Sequence, residues 1–198
     1  MFTDMVSFDE LSELRKAGKE LGIGSFVILK EFKGIEELKK FRDAAKSYRI
    51  FKTCLLLKKA DQKTIQKFFK KTDFIAVRGG SVSLNKSAAS NRMVDFLVAP
   101  CALEKASIDT AIVRAAEENN VSIVVPCNDF AKASPFQQSQ LFKHYLLTAK
   151  LCKRFKVKCL VFSLAKNRHE LTTPRELIEL GKALGFSGEQ LALWHSGL

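Results

Sequence analysis

The stretch LCKRFKVKCLVFSLAKNRHELTTPRELIELGKALGF, residues 151–186, holds one complete unit of the fold. An amphipathic helix ends in Lys and Arg. A short apolar run, 159–164, follows and reads as a strand buried on both faces. A polar, basic loop comes next, and Pro174 starts a second helix, where its missing amide loses no helical hydrogen bond. Gly181 and Gly185 mark the way out of that helix. Strand, basic loop and helix in this order are the repeat of an α/β barrel, in which the loops at the C-terminal ends of the strands form the functional face.

The rest of the chain repeats the unit. Apolar runs predict eight strands, at 2–6, 25–29, 50–57, 74–77, 94–99, 121–125, 159–164 and 191–194. Amphipathic segments lie between them. The first, 8–21, has Ser7 or Asp9 as its cap, and the second is 35–47. Asp61 caps the third, a short weak helix covers 83–91, and Asp109 opens 110–119. Ser134-Pro135 starts the longest helix, with a stripe of Leu141, Tyr145, Ala149, Cys152 and Phe155, and Thr173-Pro174 starts the last. Strict alternation predicts a single TIM-like (β/α)8 barrel domain over 1–198. No glycine-rich dinucleotide fingerprint follows the first strand, which argues against an open doubly wound sheet. The chain is shorter than the roughly 250 residues usual for such barrels. It also stops after its eighth strand, so the last outer helix is expected to be missing, leaving a gap for a partner.

Charge is the strongest signal of function. Thirty-three Lys and Arg against 21 acids leave a net charge of +12, which predicts a polyanionic partner. Five scattered cysteines without a CxxC pair read as reduced, structural thiols. No apolar run has the length of a membrane span and the N-terminus has no signal pattern, so a soluble, cytoplasmic protein is expected. The three histidines, His144, His169 and His195, are far apart and form no HxH pair, a poor basis for metal-assisted hydrolysis.

The loops after the strands hold cations at nearly every position. Lys30 and Lys33 follow the second strand with Glu31, and Lys58 and Lys59 follow the third. Arg78 follows the fourth with Gly79 and Gly80, and Lys86 lies a turn later. Glu104 and Lys105 follow the fifth, and Asn128, Asp129 and Lys132 the sixth. Lys166, Arg168 and His169 follow the seventh. Such a ring binds phosphates at several points. Arg78-Gly79-Gly80 reads as a plain turn or as a cradle for one phosphate, and Asp95 as a structural hydrogen-bonding group. Two other classes remain open at this point. One is a barrel enzyme acting on a phosphorylated small molecule; the other is a structural protein-interaction module.

The second half of the chain resembles ribonuclease P protein component 3, the archaeal counterpart of a eukaryotic ribonuclease P subunit. Ser163, Ala165, Pro174, Leu177, Leu180, Gly181 and Gly185 carry the resemblance, with VDFLVAP at 94–100, Ile108-Asp109, Asn120-Val121 and Ser134-Pro135-Phe136 upstream. Thr172-Thr173 stands where the family usually has an Arg, and Phe162-Ser163 where it often has two Ser. The resemblance implies a TIM-like barrel without catalytic residues of its own. It implies a partnership with ribonuclease P RNA and a Pop5-like ribonuclease P protein component 2, acting on precursor tRNA, with Mg2+ at the RNA active site and no cofactor held by the protein. It implies a nuclear or nucleolar location if the source is eukaryotic. Family-like placement marks Lys86 and Lys105 as RNA-binding. Face and charge add Lys166, Arg168 and Arg175, then Lys30, Lys33, Lys58, Lys59 and Arg78.

Overall fold

A computed structural model describes residues 1–101 and 106–198. In chain order the elements are β1 (Thr3–Val6), α1 (Leu11–Leu21), β2 (Ser25–Lys30), α2 (Ile35–Lys46), β3 (Phe51–Leu57) and α3 (Gln62–Phe68). Next come β4 (Phe74–Arg78), α4 (Val82–Ala89), β5 (Phe96–Val98), α5 (Thr110–Glu118), β6 (Ser122–Pro126) and α6 (Cys127–Ala131). Last are α7 (Pro135–Phe155), β7 (Cys159–Phe162), a 3-10 turn (Arg168–Glu170), α8 (Pro174–Ala183) and α9 (Gly188–Ser196). The strands pair in sequential order, β1 to β7, and every pair is parallel. The result is a nearly closed, TIM-like α/β barrel.

Strand alternation sorts the apolar side chains into two layers. Met5, Val27, Leu29, Cys54, Leu56, Ala76, Phe96, Val98, Val124, Leu160 and Phe162 pack together and fill the lumen. Their strand neighbours face outward against the helices, such as Ile75, Val77, Leu97, Ile123, Val125 and Val161 against α4, α5, α7 and α8. Burial on both faces is why the strands appear in the sequence as nearly unbroken apolar runs.

Most helix starts follow from side-chain caps. Asp61, Ser81, Asp109 and Ser187 each accept a backbone amide from the first turn, and Ser134 and Thr173 form capping boxes with Gln137 and Glu176. A cap of this kind contributes about 1 kcal/mol. The first helix departs from expectation. Its cap position is Glu10, with no side-chain hydrogen bond, because the Asp9 carboxylate is held by Lys30 Nζ at 2.6 Å.

The expected eighth strand at 191–194 is instead part of the helix α9. A four-residue apolar run cannot by itself distinguish the two periodicities. Here Ser187 caps Gln190, and Leu191 and His195, four apart, turn the same face inward and are both fully buried. The barrel therefore has seven described strands and closes differently from a regular eight-stranded one. β1 and β7 meet through Leu164 N–H donating to Met5 O (2.9 Å) and Ser7 N–H donating to Ala165 O (2.8 Å). The Asp4 carboxylate completes the seam. It accepts Met5 N–H at 2.8 Å, Ser163 N–H at 2.9 Å and Ser163 Oγ–H at 2.5 Å. At the start of β1, Thr3 O is taken by His195 Nδ1 (2.8 Å). The His195 ring stacks on Phe2 (4.2 Å) and meets Phe162 edge-on (4.9 Å). Helix α9 thus seals the place where the missing strand would lie.

Candidate nucleic-acid interface

At the C-terminal pole of the barrel the loops bring several of the expected cations together. Arg78 ends β4, and Lys132 and Lys166 follow β6 and β7. All three act on the same half-buried carboxyl, Asp129. Burial pushes Asp129 above the usual carboxylate range, and Arg78, Lys132 and Lys166, in that order, pull it back. Glu170 organises the loop after β7. Its carboxylate accepts Lys132 Nζ (2.7 Å), the Lys166 amide (2.9 Å) and Asn167 Nδ2 (3.2 Å), while its carbonyl accepts Asn128 Nδ2 (3.1 Å). The hydrogen bond from Lys132 is the main reason that Glu170 lies below its ordinary range. Lys132, one of the loop cations but not among the residues chosen for RNA binding, is the C-cap of α6, close to Asp129.

The other expected residues are placed differently. Lys86 is exposed near the end of α4, and Arg175 is exposed in the first turn of α8. Lys33 and Lys59 are exposed in the loops after β2 and β3. Three cations are held by acids. Lys30 pairs with Asp9 (2.6 Å) and lies 5.1 Å from the Phe41 ring centroid. Lys58 pairs with Glu31 (2.9 Å) and Arg168 with Glu20 (2.7 Å). Exposed pairs of this kind contribute little to stability, but each one removes net positive charge from its loop. Lys105, with Glu104, lies outside the described residues.

The glycine pair after β4 is a structural turn. Gly79 N–H donates to Val98 O (2.7 Å) and Gly80 N–H to Asn85 Oδ1 (3.2 Å). Both amides are therefore engaged by the protein and cannot donate to a phosphate. Buried Asn85 in turn donates to Pro100 O (2.7 Å) and Ser107 O (2.5 Å), fixing the turn against the β5 loop. Asp95 accepts the Ile75 amide (2.8 Å), as a structural group does.

Among the described residues, no group of three or more His, Cys, Asp or Glu is placed to hold a metal ion. His169 is exposed in the β7 loop, His144 is half-buried on α7, and His195 is buried in the seam. The five cysteines are free thiols, and burial pushes Cys54, Cys101 and Cys127 up. No helix among the described residues is long and apolar enough to cross a membrane. The described residues at the C-terminal pole can neutralise phosphates at several points.

Comparison with known proteins points in the same direction. The chain matches the sequence profile of the family described as RNase P subunit p30 over residues 4–192. Among curated proteins it is similar to ribonuclease P protein component 3 of Methanothermobacter thermautotrophicus, 28% identical over 130 residues (65% of this chain, 53% of that protein). It is also similar to the component 3 protein of Methanococcoides burtonii, 26% identical over 151 residues (75% and 63%). The matches thus span little more than half the length of these relatives. Among solved structures, a chain from the cryo-EM structure of archaeal ribonuclease P with mature tRNA superposes with a TM-score of 0.84 at 18% identity, covering 98% of this chain and 88% of that one. An apo crystal structure from Agrobacterium tumefaciens gives 0.53 at 9% identity, covering 96% and 91%. At these identities the superpositions establish the fold.

Proposed function

The chain belongs to the RNase P subunit p30 family, and from that premise we propose that it is a noncatalytic protein subunit of ribonuclease P. It binds and stabilises the catalytic RNA for removal of the 5′ leader from precursor tRNA. The family match over nearly the whole chain carries this reading. The net charge of +12 and the cations gathered around Arg78, Lys132 and Lys166 support it, since a folded RNA concentrates phosphates that need counter-charge. Lys86 and Arg175, exposed on α4 and α8, extend the surface.

On this reading the partners are ribonuclease P RNA, a Pop5-like second protein component and, through the holoenzyme, precursor tRNA, in the cytoplasm or, in a eukaryote, the nucleus or nucleolus. On the same reading, Mg2+ acts at the active site of the RNA. The test is cleavage of precursor tRNA by the RNA subunit at limiting Mg2+, with and without this chain plus a Pop5-like protein. Stimulation by the complete mixture, and none from the chain alone, is expected. A mixture no faster than RNA alone would overturn the proposal.

A further inference from the structure

The opposite, N-terminal pole of the barrel carries a second set of cations. Arg49 precedes β3, Lys70 precedes β4, Arg92 precedes β5, and Lys156 and Lys158 precede β7. Lys52 is the second residue of β3 and shares the inward-facing register of Cys54 and Leu56. Lys158 has the register of Leu160 and Phe162, and its carbonyl accepts the Ile123 amide, which holds it in the ladder. Alternation along a strand therefore sets Lys52 and Lys158 at the rim of the lumen, on the side away from Arg78. All six cations are exposed.

The six cations differ in pairing from several of those at the other pole. At the C-terminal pole Lys30, Lys58 and Lys132 are tied to Asp9, Glu31 and Glu170. Among the described residues, none of the six N-terminal cations makes an ion pair. The nearby acids are otherwise placed. Asp73 and Asp95 accept the Thr53 and Ile75 amides, Asp43 pairs with Lys46, and Glu117 and Glu118 end α5. Aromatic faces lie beside the cations. Phe69 is 40% exposed next to Lys70, and Lys52 Nζ is 5.7 Å from the Phe74 ring centroid. A shallow cavity of about 180 Å³ between α5 and the starts of β6 and β7 is lined by Glu117, Asn120, Ser122, Lys156 and Lys158, so two cations there face one acid.

The backbone adds an independent observation. Arg49 (φ 46), Lys70 (φ 63) and Lys156 (φ 58) are all in the left-handed region. They occupy helix-to-strand turns of the kind in which Gly22 (φ 75) ends α1. Glycine adopts this conformation without strain, whereas a residue with a Cβ is crowded in it. The chain thus places cations at turn positions where local conformation favours glycine.

We infer that the N-terminal pole is a second RNA-binding surface. Its exposed, unpaired cations contact backbone phosphates, and Phe69 offers a stacking face. The inference rests on the proposal that the chain binds RNA, and it adds a surface remote from the loops that the sequence marks. Two contact poles would let one barrel bridge two RNA segments.

The test is the triple variant Arg49→Gly/Lys70→Gly/Lys156→Gly, which removes three charges while relaxing three turns. The probes are the ribonuclease P RNA transcript of the source organism and a mixed-sequence RNA stem-loop, titrated by fluorescence anisotropy across a salt series. The variant is expected to melt at or above the parent's temperature. It should bind both RNAs at least tenfold more weakly, with the slope of log affinity against log salt reduced by roughly 2 to 3, as three lost phosphate contacts require. Lys52→Gln/Lys158→Gln, which leaves every turn unchanged, should act in the same direction. Unchanged slopes in both variants, with a slope that falls only in Arg78→Ala/Lys166→Ala, would overturn the inference and leave the RNA-binding proposal standing. Unchanged RNA binding with lost association of the Pop5-like protein would also overturn it, making the pole a protein-docking surface. A parent that binds neither RNA would end both readings.

Discussion

Asp4 makes the barrel seam sensitive to pH, and Asp4→Asn should remove that sensitivity. The carboxyl is fully buried, and burial raises it from 3.8 to about 7, even though Ser163 and Met5 donate three hydrogen bonds to it. Between those values the folded protein binds a proton that the unfolded chain has already released. Stability from this group is therefore complete below about pH 4, falls as pH rises, and has been lost by about pH 7. At about 1.4 kcal/mol for each tenfold in proton affinity, the loss is on the order of 4 kcal/mol. An asparagine mimics the protonated acid, since its oxygen can accept the Met5 and Ser163 amides and its Nδ2 can donate to Ser163 Oγ. Urea unfolding from pH 4 to 8 should give equal stabilities at pH 4 and a growing advantage for the variant up to pH 7. Asp4→Ala, which leaves both amides without a partner, should lose about 2 to 4 kcal/mol even at pH 4. If parent and Asp4→Asn run parallel across the range, the seam carboxyl does not titrate as described.

His195, in the same seam, works in the opposite direction. Burial holds its ring at about 4, below the 6.5 of an exposed histidine, so the stability it contributes is present above pH 6.5 and is lost as pH falls towards 4. His195→Ala should cost about 2 to 4 kcal/mol at pH 7 and flatten that acid limb. Hydrogen exchange should also show α9 and the amides near Thr3 opening, and an unaltered exchange pattern would count against α9 as the seal. Gly79→Ala should destabilise the protein by about 1 to 3 kcal/mol, because a Cβ there would meet Asn85 Oδ1 and lie 2.9 Å from Pro100 Cα. A thermal melt unchanged by this substitution would show that the β4 turn has room to adjust.

Local signals made much of the fold legible. Asp61, Asp109, Ser134 and Thr173 act through hydrogen bonds to amides three residues away, and strands buried on both faces stand out as apolar runs. The last element was not legible because the partners that decide it, Phe2, Thr3 and Phe162, are distant in sequence. The same distance limited the site. Lys30, Lys58 and Arg168 look like free cations until the fold brings Asp9, Glu31 and Glu20 to them, and Arg168 and Glu20 are 148 positions apart. Arg78 and Lys166 converge because both follow strand ends, which the alternation alone predicts. Asp4, a lone acid in a short strand, has no local signal, because its partner Ser163 is 159 positions away.

The barrel's closing contacts have a consequence for how the chain is made. Asp4 must wait for Ser163, 159 positions later, and Thr3 for His195, 192 positions later. At a synthesis rate of roughly 5 to 20 residues per second, β1 emerges roughly 10 to 40 s before α9 exists. During that time one edge of the growing sheet keeps its amides and carbonyls unpaired, the condition that invites strand addition from another chain. A ribosome that stalls before Ser163 therefore releases an open sheet with two sticky edges rather than a smaller barrel. The first strand made is the last one to be completed.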